Sequence, residues 1–353
     1  MSGSKQRVAV LVDGMNRQRD LHLRSGQGIV DALAESGHEA RLVFVDRDVD
    51  VSLRQGRYDV GFVATRGRYA SDGCLQGLLE MMGIAYTGSG VFASALAMNQ
   101  AKCKDVLRLH NLPTAPAYVI RADAVGDRSV LDHHGSFGFP VVVSVAGAAI
   151  GPGLSLASDE LELEAAVDEA FRCGDEVLVE RLVDGRVVSV AVLDGTPLGA
   201  LDLGSLVGLL NGSRHERGET RGRAERTDVR DGSNGGNGRL KARFAAARYR
   251  SLLRIAQQSC EALGAEGAVL VELTVSDRLN EVVRSVDVAP VLGPASTFTR
   301  IAANAGLDFE DLIEEVLRGA RLKAHGQRRE RRTLQVAFTG PERRNGLQTH
   351  ALE

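Results

Sequence analysis

Arg7-Val8-Ala9-Val10-Leu11-Val12 is a β-branched apolar run that stops at Asp13-Gly14. A continuous run of this kind reads as a parallel strand buried on both faces, because an exposed face would show polar alternation. From His22 to Glu35 the apolar residues Leu23, Ile29, Val30 and Leu33 recur near helical spacing, and Gly37 ends the segment before a second strand, Arg41 to Val45. Strand, helix and strand in that order demand a crossover connection, and so a parallel sheet covered by helices. A third strand, Asp59 to Ala64, leads to a helix from Leu75 to Met82, then to Ile84-Ala85-Tyr86 and the turn Gly88-Ser89-Gly90. The first 95 residues therefore read as an N-terminal α/β domain with a parallel sheet.

Residues 96–190 read as a second, central α+β unit. A helix from Ser94 to His110 runs into it, and Leu112-Pro113-Thr114-Ala115-Pro116 forms a stiff connection, since each proline restricts itself and the residue before it. Strands follow at Ala117–Ile120 and Pro140–Val145, then a helix at Asp159–Phe171 and strands at Glu176–Arg181 and Val187–Leu193. A third unit covers 191–320, with a helix from Leu240 to Leu263, strands at Val269–Val275 and Glu281–Val288, and a helix at Phe309–Arg318. Between 208 and 238 the chain is Arg, Glu, Asp, Gly and Asn with few apolar residues, the composition of a mobile loop. Residues 321–353 form a basic tail, expected to be solvated.

Over 353 residues, 44% hydrophobic and 25% charged content suits a globular chain. No apolar run reaches the roughly 18 residues of a membrane helix. Net charge is -3, which gives no overall field for nucleic acid. Cys74, Cys103, Cys173 and Cys260 lie far apart, without the paired spacing of a zinc site or disulfide framework. With no apolar leader in Met1 to Lys5, the expected setting is a reducing cytoplasm, with neither membrane insertion nor a nucleic-acid partner.

The stretch Asp72 to Met98, with its Gln76-Gly77 helix start, Tyr86-Thr87-Gly88-Ser89-Gly90 and Ser94-Ala95-Leu96, resembles the D-alanine:D-alanine ligase family. A weaker likeness spans residues 7 to about 320. It implies an ATP-grasp fold of three α/β units, with nucleotide between the second and third. It also implies ATP with magnesium ions, phosphorylation of one D-alanine carboxylate, attack by a second D-alanine amine, and a homodimer formed through the N-terminal domain.

Residue by residue, the resemblance departs from the family pattern. Where it implies two phosphate-binding lysines, the chain has Gln100 and Ser144, and no lysine at all occurs between Lys104 and Lys241. Lys102 and Lys104 read as a solvated helix face, with service to the phosphates in their place as the alternative reading. The expected nucleotide contacts are Glu180, Arg181, Leu182 and Lys104, with Val187 where a ribose-binding glutamate belongs. The phosphate loop is Ala148 to Gly153, without hydroxyls and with Pro152 lacking an N–H. Glu272 and Asp287 stand at metal-ligand positions, but Leu270 replaces the arginine and Ala289 the asparagine. On the substrate side Gln18 replaces the glutamate that holds an ammonium, and His22 and Arg66 also depart from the pattern. The lid that in relatives brings a tyrosine over the substrates has no aromatic counterpart between Phe171 and Phe244.

These losses set the expectation of a catalytically degenerate member: a pseudoenzyme with no catalytic residue and no cofactor, regulating or scaffolding peptidoglycan precursor synthesis beside another cell-wall synthesis protein. Two alternatives stay open. One is an active ADP-forming D-alanine:D-alanine (or other amino-acid) ligase with a rewired site, using ATP and Mg2+. The other is a sensor of a small ligand in the same cleft.

Overall fold

The structure, a computed structural model, describes residues 5–13, 19–65, 69, 71–124, 130–147, 154–209, 244–276 and 281–324, with the side chains of 19–22 left aside. The N-terminal region runs β1 (Arg7–Asp13), α1 (Arg19–Glu35), β2 (Glu39–Val45), α2 (Val49–Gly56), β3 (Val60–Val63), α3 (Cys74–Met82) and β4 (Ala85–Tyr86). Its sheet has the order β2-β1-β3-β4 and is parallel throughout, so β1, the most apolar run, sits inside with both faces covered.

Next come α4 (Val91–Met98), α5 (Gln100–Leu109), β5 (Ala117–Arg121), α6 (Val130–His134), β6 (Val141–Val145), β7 (Ser155–Ala157), α7 (Glu160–Phe171) and β8 (Glu176–Arg181). The central sheet is antiparallel, ordered β5-β8-β6-β7. The chain closes with β9 (Arg186–Leu193), β10 (Thr196–Ser205), α8 (Ala246–Leu263), β11 (Ala268–Val275), β12 (Glu281–Asp287), α9 (Thr297–Asn304) and α10 (Phe309–Arg318). Here the antiparallel order is β10-β9-β11-β12.

Packing joins these sheets unequally. Val8, Val10, Val12, Ile29 and Phe62 of the first unit share one core with Ala191, Leu193, Phe298, Leu312 and Ile313 of the third. The central sheet keeps its own core, with Ile120, Val141, Val143, Leu163, Val167 and Val179 packed on one face. Residues expected to belong to that central unit, Cys103 and Leu107 of α5, instead pack with Leu252, Ile255 and Val271 of the third.

Two expectations need correction, and one strand was not expected. The single helix from Ser94 to His110 is two, because Asn99 leaves helical geometry (φ -90, ψ 97) and its side chain caps the N–H of Lys102. β10 was not foreseen: Pro197, Gly199 and Gly204 argue against a strand, and the sheet accommodates them with register shifts at 197/199 and 202/204. The beginning of the basic tail is docked rather than solvated. Arg321 exchanges backbone hydrogen bonds with Tyr86 and pairs with Glu266, while Lys323 donates to the Tyr86 carbonyl at 2.9 Å and lies 4.1 Å from its ring. Burial pushes the Lys323 ammonium down to about 8, against the opposing pull of Glu266. Most of the expected loop (residues 210–238) and tail (325–353) lies outside the described residues, as do positions 240–243 of the expected helix from Leu240.

Candidate functional site

Strand pairing decides which side chains share a face. In the central sheet Ala117 stands opposite Glu180, and Glu180 opposite Val142; Leu178 stands opposite Ser144. Because alternate residues point the same way, Glu180, Val142 and Ser144 line the face away from the central core. In the third sheet Glu272 pairs with Ser285 and Leu270 with Asp287, so all four share a face. These two faces meet in a cleft lined by Gln100, Ser144, Glu180, Arg181, Arg284 and Ser285 among others. Its free volume is about 40 Å³, room for water rather than for a nucleotide. Val142, Leu154 and Leu206 give the cleft an apolar wall and belong to a small apolar cluster with Val187, against which Leu182 packs.

Lys104 contradicts the solvated-face expectation. It is 2% exposed, and its ammonium lies 2.9 Å from Glu180 and donates to the Arg284 carbonyl at 2.7 Å. One side chain thus ties α5 to both sheets. Lys102 does remain exposed, 3.8 Å from Asp105. Gln100 is buried, donating its side-chain N–H to Ala97 and its backbone N–H to Ala146. Ser144 is buried in β6 and Val187 in β9. Arg181 lies 5.3 Å from the Phe137 ring, beside the cleft, and Leu182 donates its backbone N–H to Pro140.

At the expected metal positions the structure adds a residue that the sequence reading passed over. Arg284 Nη1 donates to Glu272 Oε2 at 2.7 Å, and Ser285 Oγ donates to the same oxygen at 3.1 Å. Asp287 Oδ1 accepts from the Ala289 N–H at 3.1 Å. Leu270 is partly buried across from Asp287. Among the described residues, no three His, Cys, Asp or Glu side chains gather as a metal site. A magnesium ion seeks about six oxygen donors in near-octahedral array. Ala289 has no side-chain oxygen to give and Glu272 already faces a guanidinium, so the donor set does not fit the ion. Gln18, Arg66 and the loop Ala148 to Gly153 lie outside the described residues, and the side chain of His22 is likewise not described.

A family model described as "D-ala D-ala ligase C-terminus" matches residues 106–318. A D-alanine–D-alanine ligase of Geotalea uraniireducens (strain Rf4) is 36% identical over 318 residues, covering 90% of this chain and 96% of the relative. The chain belongs to the D-alanine–D-alanine ligase family. The ligase so named from Anaeromyxobacter dehalogenans (strain 2CP-1) is also 36% identical, over 320 residues, covering 90% of this chain and 98% of that one. The fold is shared with the D-alanine–D-alanine ligase of Bacillus anthracis complexed with ATP, at TM-score 0.70 and 21% identity, covering 89% of this chain and 97% of the other. It is therefore the ATP-grasp architecture expected above.

This finding overturns the expectation that the chain is no enzyme. Family relatives that match it over nearly their whole length are named as ligases, and the regulatory or scaffolding role built on lost activity falls with it. The expectation of no cofactor was built on that lost activity and loses its ground with it. Among the described residues no helix is long and apolar enough to cross a membrane.

Proposed function

We propose that the chain is an ATP-dependent, ADP-forming carboxylate–amine ligase acting on D-alanine or another amino acid, with a rewired phosphate end. The observation that carries this reading is the cleft between the central and third sheets, where Arg181 and Arg284 supply cationic groups in a chain largely stripped of the expected lysines. A guanidinium matches two phosphate oxygens at once and keeps its charge at every physiological pH. The apolar wall of Val142, Leu154 and Leu206 offers a surface for a base once the sheets part. When bound, ATP supplies the phosphoryl group that activates a carboxylate. The protein's part is to hold the phosphates, orient the carboxylate and exclude water by closing the two sheets.

The same reading includes a homodimer through the first unit, supported by the exposure of Met81 (91%) and Phe92 (75%) on α3 and α4. A reducing compartment suits its four free cysteines, two of them buried. The deciding experiment measures ADP release at high enzyme concentration with D-alanine and then with other amino acids, alongside a working relative. Amino-acid-dependent ADP is expected. None, with the control active, refutes the reading.

A further inference from the structure

We infer that Arg284 takes the electrostatic place of a divalent cation at the phosphate end of the cleft, so that this chain binds nucleotide without metal. The inference rests on the ligase reading, in which the cleft receives ATP, and goes on to say what neutralises the phosphates. Three features of the third sheet support it.

The first is the register. Glu272 pairs with Ser285 and Leu273 with Val283, which leaves Arg284 as an extra residue in β12. Such a bulge re-aims a side chain. Strict alternation would send Arg284 to the face opposite Ser285; instead both reach the same oxygen of Glu272. The second is support of the bulge from behind, where the buried Lys104 ammonium holds the Arg284 carbonyl at 2.7 Å. The third is the donor set. Glu272 would have to serve a metal while a guanidinium holds one of its oxygens at 2.7 Å, and two cations sharing one carboxylate repel each other where water is scarce. Asp287 is engaged by the Ala289 N–H, and Ala289 itself brings no side-chain oxygen.

Arg284 has the means to do both jobs. Glu272 engages Nη1, and a guanidinium carries five N–H donors in a planar fork, so it can hold a carboxylate and a phosphate together. In this arrangement Glu272 positions Arg284 rather than ligating an ion.

The test is calorimetric titration of ATP into the full-length chain, once with excess magnesium and once with EDTA. The Kd values are expected to agree within about threefold. Glu272→Gln should keep metal-free binding, because an amide still accepts from the guanidinium. Arg284→Met should weaken it by about tenfold or more, the loss of a charge-assisted hydrogen bond. Should the single variant fail to fold with Glu272 left unpaired, Arg284→Met with Glu272→Gln removes both charges, and the same loss is expected. Binding that requires magnesium and vanishes in Glu272→Gln overturns the inference while leaving the ligase reading intact. Absence of ATP binding with and without metal overturns both.

Discussion

Replacing Lys104 with methionine should destabilise the protein far more than replacement of any exposed lysine. The ammonium is 2% exposed and 2.9 Å from Glu180, whose side chain is 16% exposed. Removing one partner of a buried pair leaves an uncompensated charge, which costs about 3–5 kcal/mol. Because Glu180 retains some contact with water, the lower end applies. The Arg284 carbonyl also loses its donor, adding about 1 kcal/mol. A total near 4 kcal/mol corresponds to a drop of about 8–16 °C in the midpoint of a unit of 150–250 residues. Circular dichroism on heating reads it directly. The double variant Lys104→Met with Glu180→Met should recover most of the loss, since an apolar pair of similar volume is close to neutral. A drop below 2 °C for the single variant, the effect of a surface ion pair, would refute the burial argument. So would a double variant no better than the single.

Gly267→Ala should lower the midpoint and yield less folded protein, because Gly267 has φ +70 and an added Cβ would lie 2.7 Å from the Gly88 backbone. The Lys323 ammonium is held below its ordinary 10.5, at about 8, by burial. The unfolded chain therefore binds more protons between those values, and stability rises with pH across that window. Relative to Lys323→Met, the wild type should gain up to about 3 kcal/mol between pH 8 and 10.5 in urea titrations; a flat difference would show that Lys323 is solvated. Phe92→Ser should shift the light-scattering mass from dimer toward monomer without changing the unfolding midpoint, and an unchanged mass would remove the α3–α4 face from the interface.

Much of the fold was legible because its strands are apolar and its helices periodic. β1 and α10 show both signals plainly. The hidden parts are those where local chemistry disagrees with the outcome, such as β10 with its Pro197, Gly199 and Gly204. The site was harder. Lys104 shares a helical stripe with Gln100, Cys103 and Leu107, all of them buried, and that spacing of three and four residues places it inside. Its charge type argued the other way and misled the reading. Arg284 could not be placed from sequence at all, because it occupies a strand position whose facing depends on a bulge, and no residue type in Glu281 to Asp287 signals one. Searching for lysines and an arginine at the positions the resemblance implies therefore missed a cation on the neighbouring strand.

The first and third units share one apolar core, while the central sheet keeps its own. The backbone hydrogen bonds between Arg321 and Tyr86 add a second link between those two units. Among the described residues, the central sheet joins the rest through the connections at 113–116 and 181–186 and through the Lys104–Glu180 pair. The seam on that side is the narrow cleft itself, so admitting a guest there should require the central sheet to part from the third. A calorimeter should then see the small cap melt as its own cooperative block, ahead of the fused remainder.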